Sequence, residues 1–268
     1  MNFVKYHAAG NDYLVYADDR PFELSAAEIV RTCERQRGLG ADGILVRSVT
    51  ADGMLAVTIY NTDGSQAEKS GNGLRILCRY LWDQGHVTSE PFRLSTRGGI
   101  VTCQVLEEGR CVSIDMGRAR FLEPDRPQLS IEGLELHLYP VSMGNPHCVI
   151  FVDQPTESMA RLMGPTIEHL EFFPQRTNVQ FVRVIDRGNL EVRIWERGVG
   201  YTLSSGSSSC AAAAVSRRLG LVESRVNVQM PGGTIRIELS DDYEVRMQGP
   251  VCRVGSFVLD PECLAYTP

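Results

Sequence analysis

Short apolar runs recur along the chain, each beside a polar or glycine-bearing stop. Tyr13-Leu14-Val15-Tyr16 follows Gly10-Asn11, Ile44-Leu45-Val46 follows Asp42, and Ile59-Tyr60 precedes Asn61. Apolar runs of this length between turn residues predict strands. The pattern then changes period. Leu74, Leu77, Cys78 and Leu81 fall at helical spacing, which predicts a helix over Gly71 to Gln84 with Gly85 as its stop. A second helix is predicted over Gly206 to Leu219, with the small-residue run Ala211 to Ala214 and Gly220 as its stop. An alanine-rich helix can be enclosed by other elements, because small side chains permit close approach.

These blocks occur twice, at an offset of about 135 residues. Gly144-Asn145 precedes Cys148-Val149-Ile150-Phe151 as Gly10-Asn11 precedes its own strand. Asn178 stands before Val179-Gln180-Phe181-Val182 as Asp42 stands before Ile44. Asn61 lies nine residues before Ser70, and Glu196 nine residues before Ser205. Gly98-Gly99 and Gly232-Gly233 each open a strand, and Met116-Gly117 and Gln248-Gly249 close the halves. Six matches in order point to a duplicated domain. The fold expected is α+β: two pseudo-symmetric lobes, each a curved, mainly antiparallel sheet around a central helix, with the active site in the cleft between them. The lobes are expected over residues 1–118 and 119–268, with the tail packing back on the first. The proline-bearing stretch Phe121 to Pro127 reads as a turn or linker near the crossing.

Composition narrows the function. The 268 residues are 43% hydrophobic and 22% charged, ordinary for a globular protein with a sizeable core. With 27 basic and 33 acidic residues the net charge is −6, which argues against a nucleic-acid partner. No apolar run reaches membrane-spanning length, and Met1 to Tyr16 lacks the layout of a signal peptide. The eight cysteines form neither a C-x-x-C pair nor a zinc spacing, and the five histidines are dispersed, so no metal is expected. Reduced, buried thiols and a cytoplasmic location are the expectation.

The candidate chemistry lies at the two helix starts, Ser70-Gly71-Asn72-Gly73 and Ser205-Gly206-Ser207-Ser208. A helix N-terminus presents N–H groups and partial positive charge, and glycine lets a ligand approach the backbone. Two such termini facing one cleft would grip an anion. Serine is also a favoured N-cap that needs no ligand. What adds weight is the repeat, which gives both caps matching upstream polar residues, Asn61 and Glu196. Further polar groups stand beside strands: Asn11, Asn145 with His147, Asn178, and Arg197. Amides, a carboxylate and a guanidinium suit a small zwitterion: Arg197 could hold a carboxylate bidentately and Glu196 could accept from an ammonium. Each taken singly is equally well a turn amide or a surface ion pair.

Across essentially the whole chain these segments resemble the diaminopimelate epimerases. The matching stretches are His7 to Asp12 (HAAGND), Asn61 to Ser65 (NTDGS), Ser70 to Arg75 (SGNGLR), Val141 to Cys148 (VSMGNPHC), Thr177 to Val179 (TNV), Trp195 to Gly198 (WERG) and Gly206 to Ala213. The resemblance implies a cofactor-independent isomerase, a homodimer, that interconverts LL- and meso-diaminopimelate for lysine and peptidoglycan synthesis. It implies two cysteines acting as base and acid on opposite faces of the α-carbon. By motif those cysteines belong at positions 70 and 205, where this chain has Ser70 and Ser205. The α-carboxylate grip falls on Gly71, Asn72, Gly206 and Ser207. Recognition of the amino groups and far carboxylate falls on Asn11, Asn61, Asn145, Asn178, Glu196 and Arg197, and His147 matches a histidine beside the reacting centre.

The two serines change the chemistry. A thiol titrates near about 8.5, whereas a hydroxyl taken as water-like lies near about 15.7. The gap of about 7 units is on the order of 10 kcal/mol. A helix dipole worth about 0.3–2 kcal/mol does not close it. The chain is therefore expected to bind substrate and epimerise it very poorly. Both replacements fall on the acid–base pair while eight other cysteines and the pocket residues remain. Drift would rarely choose those positions alone, so a deliberate double substitution is the favoured explanation, with a natural non-catalytic binding homologue as the alternative. Tyr201, where the family commonly has a smaller or acidic residue, and Ser207-Ser208-Ser209, in place of a more usual Thr-Gly-Ala, are further departures. Two other activities compete. A racemase of another amino acid such as histidine is disfavoured by Arg197, Asn61 and Asn178, which suit a second zwitterionic end. A serine hydrolase is disfavoured because neither serine sits in a G-x-S-x-G elbow.

Overall fold

A computed structural model of the chain describes residues 1–122, 128–131 and 133–265. It is a sheet-dominated α+β protein with two units, Met1–Ile114 together with Gly249–Pro268, and Asp115–Gln248. Most of the predicted turn at Phe121 to Pro127, residues 123–127, lies outside the described residues.

The first unit is built around Asn2–Ala8, which pairs antiparallel with Asn11–Tyr16 on one side and with Cys252–Val258 on the other. That second pairing joins the C-terminal segment to this unit. Asn11–Tyr16 runs parallel to Gly43–Val49, with Leu14 opposite Ile44. The crossover between them carries helix α1 (Ala26–Cys33), whose Ser25 and Glu28 form a reciprocal capping box. Gly43–Val49 then turns back antiparallel on Leu55–Asn61. Helix α2 (Gly71–Asp83) packs on this sheet and buries almost its whole first two turns, Gly71 to Cys78. It ends as the pattern predicts. Gly85 adopts φ +72°, with Gly85 N–H donating to Trp82 O at 3.0 Å and His86 N–H to Leu81 O at 2.8 Å.

The second unit repeats the plan. Pro146–Phe151 runs parallel to Asn178–Asp186, with His147 opposite Asn178. Helix α3 (Glu157–Glu168) fills the crossover. Asn178–Asp186 turns back antiparallel on Asn189–Glu196. Helix α4 (Gly206–Arg218) packs on these strands, and the segment Ser208 to Ser216 is buried all round. That enclosure is why the sequence there is alanine-rich and carries no amphipathic stripe: a helix surrounded on every side has no solvent face to mark. Its end repeats the α2 terminus, with Leu221 N–H donating to Ser216 O at 2.9 Å and Gly220 at φ +72°. The eight cysteines are free thiols, and Cys33, Cys78, Cys103, Cys148 and Cys210 are buried. Among the described residues no helix is long and apolar enough to cross a membrane.

Candidate active site

In the first unit Ser70 is the N-cap of α2. Its backbone is extended, and its Oγ accepts from Gly73 N–H at 3.1 Å. The Tyr13 hydroxyl lies 3.3 Å from the same oxygen. Tyr13 gets there because residue 43 is glycine: a Cβ at Gly43 would sit 2.7 Å from the Tyr13 ring and collide with the Tyr60 carbonyl. At the second residue of the helix, Asn72 is buried and donates from Nδ2 to Asn11 Oδ1 at 3.0 Å. The fully buried Arg75 donates to Asn72 Oδ1 at 2.6 Å. Asn11 in turn donates to Asp42 Oδ2 at 2.7 Å. Both amides are thereby held with their oxygen and nitrogen ends assigned by partners. Asn61 stands apart from this chain. It lies opposite Gly43 in register and donates to Ser65 Oγ at 2.9 Å.

A charged cluster stands behind Asn11. Arg35 donates to both oxygens of Asp12, at 3.1 and 2.7 Å, and to Asp42 Oδ1 at 2.7 Å. Lys5 pairs with Asp12 at 2.8 Å. Burial by itself would raise the Asp12 carboxyl, but the hydrogen bonds and charges of Arg35 and Lys5 outweigh it and hold the pKa at about 2. Asp12 is therefore ionised, and Asp42, held by Arg35, presents a fixed acceptor to Asn11.

In the second unit Ser205 caps α4, accepting from Ser208 N–H at 3.5 Å, and is itself buried. Gly206 is buried and Ser207 half-buried. His147 is fully enclosed on the strand before α3. Its Nε2 lies 3.0 Å from Asn145 Oδ1 and its Nδ1 3.1 Å from Gln180 Nε2. Burial, joined by the positive charge of Arg197, pushes its pKa down to about 3. It is a neutral imidazole at neutral pH. Asn178 accepts from the Arg197 backbone N–H at 3.0 Å and donates to Pro146 O at 2.9 Å. Arg197 is exposed, with Nη1 donating to Gln175 O at 3.0 Å, and Glu196 is half-buried at the strand end, opposite Gly200.

The turn at Glu196-Arg197 has a support that sequence reasoning missed. Glu168, at the end of α3, accepts from Trp195 Nε1 at 2.7 Å and from Gly198 N–H at 3.0 Å, so it grips the turn on both sides. Trp195 also lies across Gly164 of α3. A Cβ there would come within 2.5 Å of the indole Cγ, the base of the side chain, which has no freedom to swing aside. Gly164→Ala is therefore expected to lower stability by about 1–2 kcal/mol, because overpacking outweighs the helix propensity gained. Urea unfolding of the variant measures this, and an unchanged midpoint would contradict it.

The structure thus ties Asn11 to Asn72, Asn145 to His147, and Asn178 to Arg197, each pair within one unit. It also supplies Asp42, Arg35, Gln180 and Glu168, none of which stood out as site residues in the sequence. Asp42 had a signal: it is the repeat partner of Asn178. Glu168 had none, since an acidic residue at a helix end normally faces water. Among the described residues no group of His, Cys, Asp and Glu side chains is arranged to hold a metal ion.

A solved hydroxyproline epimerase from Agrobacterium vitis, with bound trans-4-hydroxy-L-proline, shares the fold at a TM-score of 0.75. It covers 100% of this chain and 95% of that one, at 16% identity. The two share the duplicated α+β architecture. Closer kinship is found in sequence. The family model described as diaminopimelate epimerase matches residues 3–122 and 139–254. Diaminopimelate epimerase 2 of Nostoc sp. is 44% identical over 99% of this chain and 98% of its own length. The diaminopimelate epimerase of Moorella thermoacetica is 37% identical over 97% and 100%. The chain belongs to the diaminopimelate epimerase family, a family of isomerases.

Proposed function

We propose that this chain recognises diaminopimelate with the pocket of an epimerase and turns it over very poorly. In this reading the N-termini of α2 and α4, at Gly71-Asn72 and Gly206-Ser207, take the α-carboxylate. Asn11, Asn61, Asn145, Asn178, Glu196 and Arg197 read the amino groups and the far carboxylate. Ser70 and Ser205 stand where the resemblance puts the proton-transferring pair, one for each face of the α-carbon, and His147 where it puts a histidine. The observation that carries the reading is the contrast between these groups. The amides are held by networks reaching two or three residues deep, through Asp42, Arg75 and the Arg197 backbone. The two hydroxyls, by contrast, are engaged as helix caps. A serine that accepts a helix N–H is a good cap and a poor base, for its alkoxide is out of reach near neutrality. No cofactor enters, since the family chemistry is that of side chains alone. The reading includes a cytoplasmic homodimer, supported by the family resemblance and, for the compartment, by the reduced cysteines.

Competition calorimetry tests the substrate. Diaminopimelate is expected to bind at least about tenfold more tightly than amino acids with a single zwitterionic centre, such as histidine or proline, because the second end adds at least one charge-assisted contact. Tighter binding of a single-centred amino acid would overturn the assignment.

A further inference from the structure

The strand that carries Asn178 contains one polar residue with no place in the reading above. Gln180 lies among Val179, Phe181 and Val182, and like them it is wholly buried. Packing alone would favour an apolar residue there. Its amide nitrogen is 3.1 Å from His147 Nδ1 and 3.1 Å from Ser208 Oγ. Its Oε1, also buried, has no hydrogen-bond partner among the described residues. A buried carbonyl oxygen left unpaired is destabilising, so the residue is kept for what its nitrogen does.

We propose that Gln180 is a positioning residue that fixes the proton of His147 on Nε2 and ties that ring to the start of α4. An N–H donor facing Nδ1 requires a lone pair there. A neutral imidazole carries one N–H, so the proton sits on Nε2 and is donated to Asn145 Oδ1 at 3.0 Å. The same Gln180 nitrogen donates to Ser208 Oγ, and the Ser208 backbone N–H donates to the Ser205 cap. One hydrogen-bonded line thus runs from Asn145 through His147, Gln180 and Ser208 to Ser205, all within the second unit. Among the described residues, Arg197 is the charged group that acts on His147, and its sign opposes protonation of the ring. With this polarity Asn145 is held by its oxygen, and its amide N–H₂ is left as the end offered to a ligand. The inference rests on the assignment of Asn145 and His147 to the binding site only for this last consequence.

Nitrogen-15 NMR of the imidazoles in the unaltered protein tests the core of it. A non-protonated Nδ1 and a protonated Nε2 on His147 are expected, and a protonated Nδ1 overturns the proposal. Gln180→Glu supplies the second measurement. A carboxylate facing Nδ1 is expected to draw the proton to that nitrogen and to raise the pH at which the ring titrates. An unchanged Nε2–H ring in the folded variant would also overturn the proposal, because a purely structural residue would leave the ring protons where they were. If the variant does not fold, the unaltered protein still decides. In the folded variant diaminopimelate affinity is expected to fall about tenfold or more. If diaminopimelate binds neither protein while the ring responds as expected, the substrate assignment fails and the role of Gln180 stands.

Discussion

Placing cysteine at both positions 70 and 205 raises exchange of the diaminopimelate α-hydrogen with heavy water by on the order of 10⁴-fold or more. The estimate follows from the bases themselves. The thiol–hydroxyl gap of about 7 units sets the ceiling, and a transition state that expresses about half of it still gains 3–4 powers of ten. The helix starts then favour the thiolate further, by charge and by N–H groups. The gain comes with a loss elsewhere. Ser70 Oγ accepts from Gly73 N–H and Ser205 Oγ from Ser208 N–H, and sulfur is a weaker cap. Each exchange is expected to remove about 0.5–1 kcal/mol of stability, so the variant melts lower while reacting faster. Either cysteine alone leaves one face of the α-carbon without an acid, and epimerisation stays slow. Deuterium incorporation followed by mass spectrometry, alongside thermal unfolding, reads both effects. No exchange in the double variant would leave a binding protein in place of an epimerase scaffold.

The caps illustrate what the amino-acid pattern makes legible. A serine followed by glycine before an apolar-periodic run marks a helix start, and glycine after it marks the end, because backbone conformation at those points depends on one or two residues. Both helices begin where that pattern puts them and end one residue short of it, with Gln84 and Leu219 as the C-caps. The duplication was legible for the same reason, since short motifs at a constant offset need no knowledge of packing. Supports from distant residues were not. Arg35 reaches Asp12 and Asp42 only after the crossover through α1 brings it back to the strand end. Glu168 meets Trp195 and Gly198 only because α3 lies against the strand Asn189–Glu196. Gln180 could have been noticed as a lone amide in an apolar run, but its partners, His147 and Ser208, come from two other elements. Strand Cys252–Val258 pairs with Asn2–Ala8 at the other end of the chain, a register that the amino-acid pattern does not specify.

The largest stability effect is expected at Asp12. Replacing it with alanine removes the carboxylate that faces Lys5 at 2.8 Å and Arg35 at 2.7 Å. The Lys5 and Asp12 side chains are only 16% and 11% exposed, so the ammonium is left largely desolvated without its partner. Breaking a buried pair from one side costs about 3–5 kcal/mol. Arg35 contributes less, since it is more than half exposed and retains Asp42. The pH dependence carries the same information with a definite sign. The folded-state pKa of about 2 lies below the unfolded value of about 4. Asp12 therefore stabilises the fold fully above about pH 4, and that contribution fades as pH falls through about 2. The parent chain should lose on the order of 2–3 kcal/mol across this window from Asp12 alone, and the alanine variant should show a correspondingly flatter acid limb. The site feels the loss through Asp42. With Asp12 gone, Arg35 is free to turn wholly to Asp42, drawing that carboxylate off the Asn11 amide, and diaminopimelate binding weakens along with stability. Chemical denaturation between pH 2 and 7 on both proteins measures the difference, and parallel curves would refute the assignment of the acid-sensitive charge to Asp12.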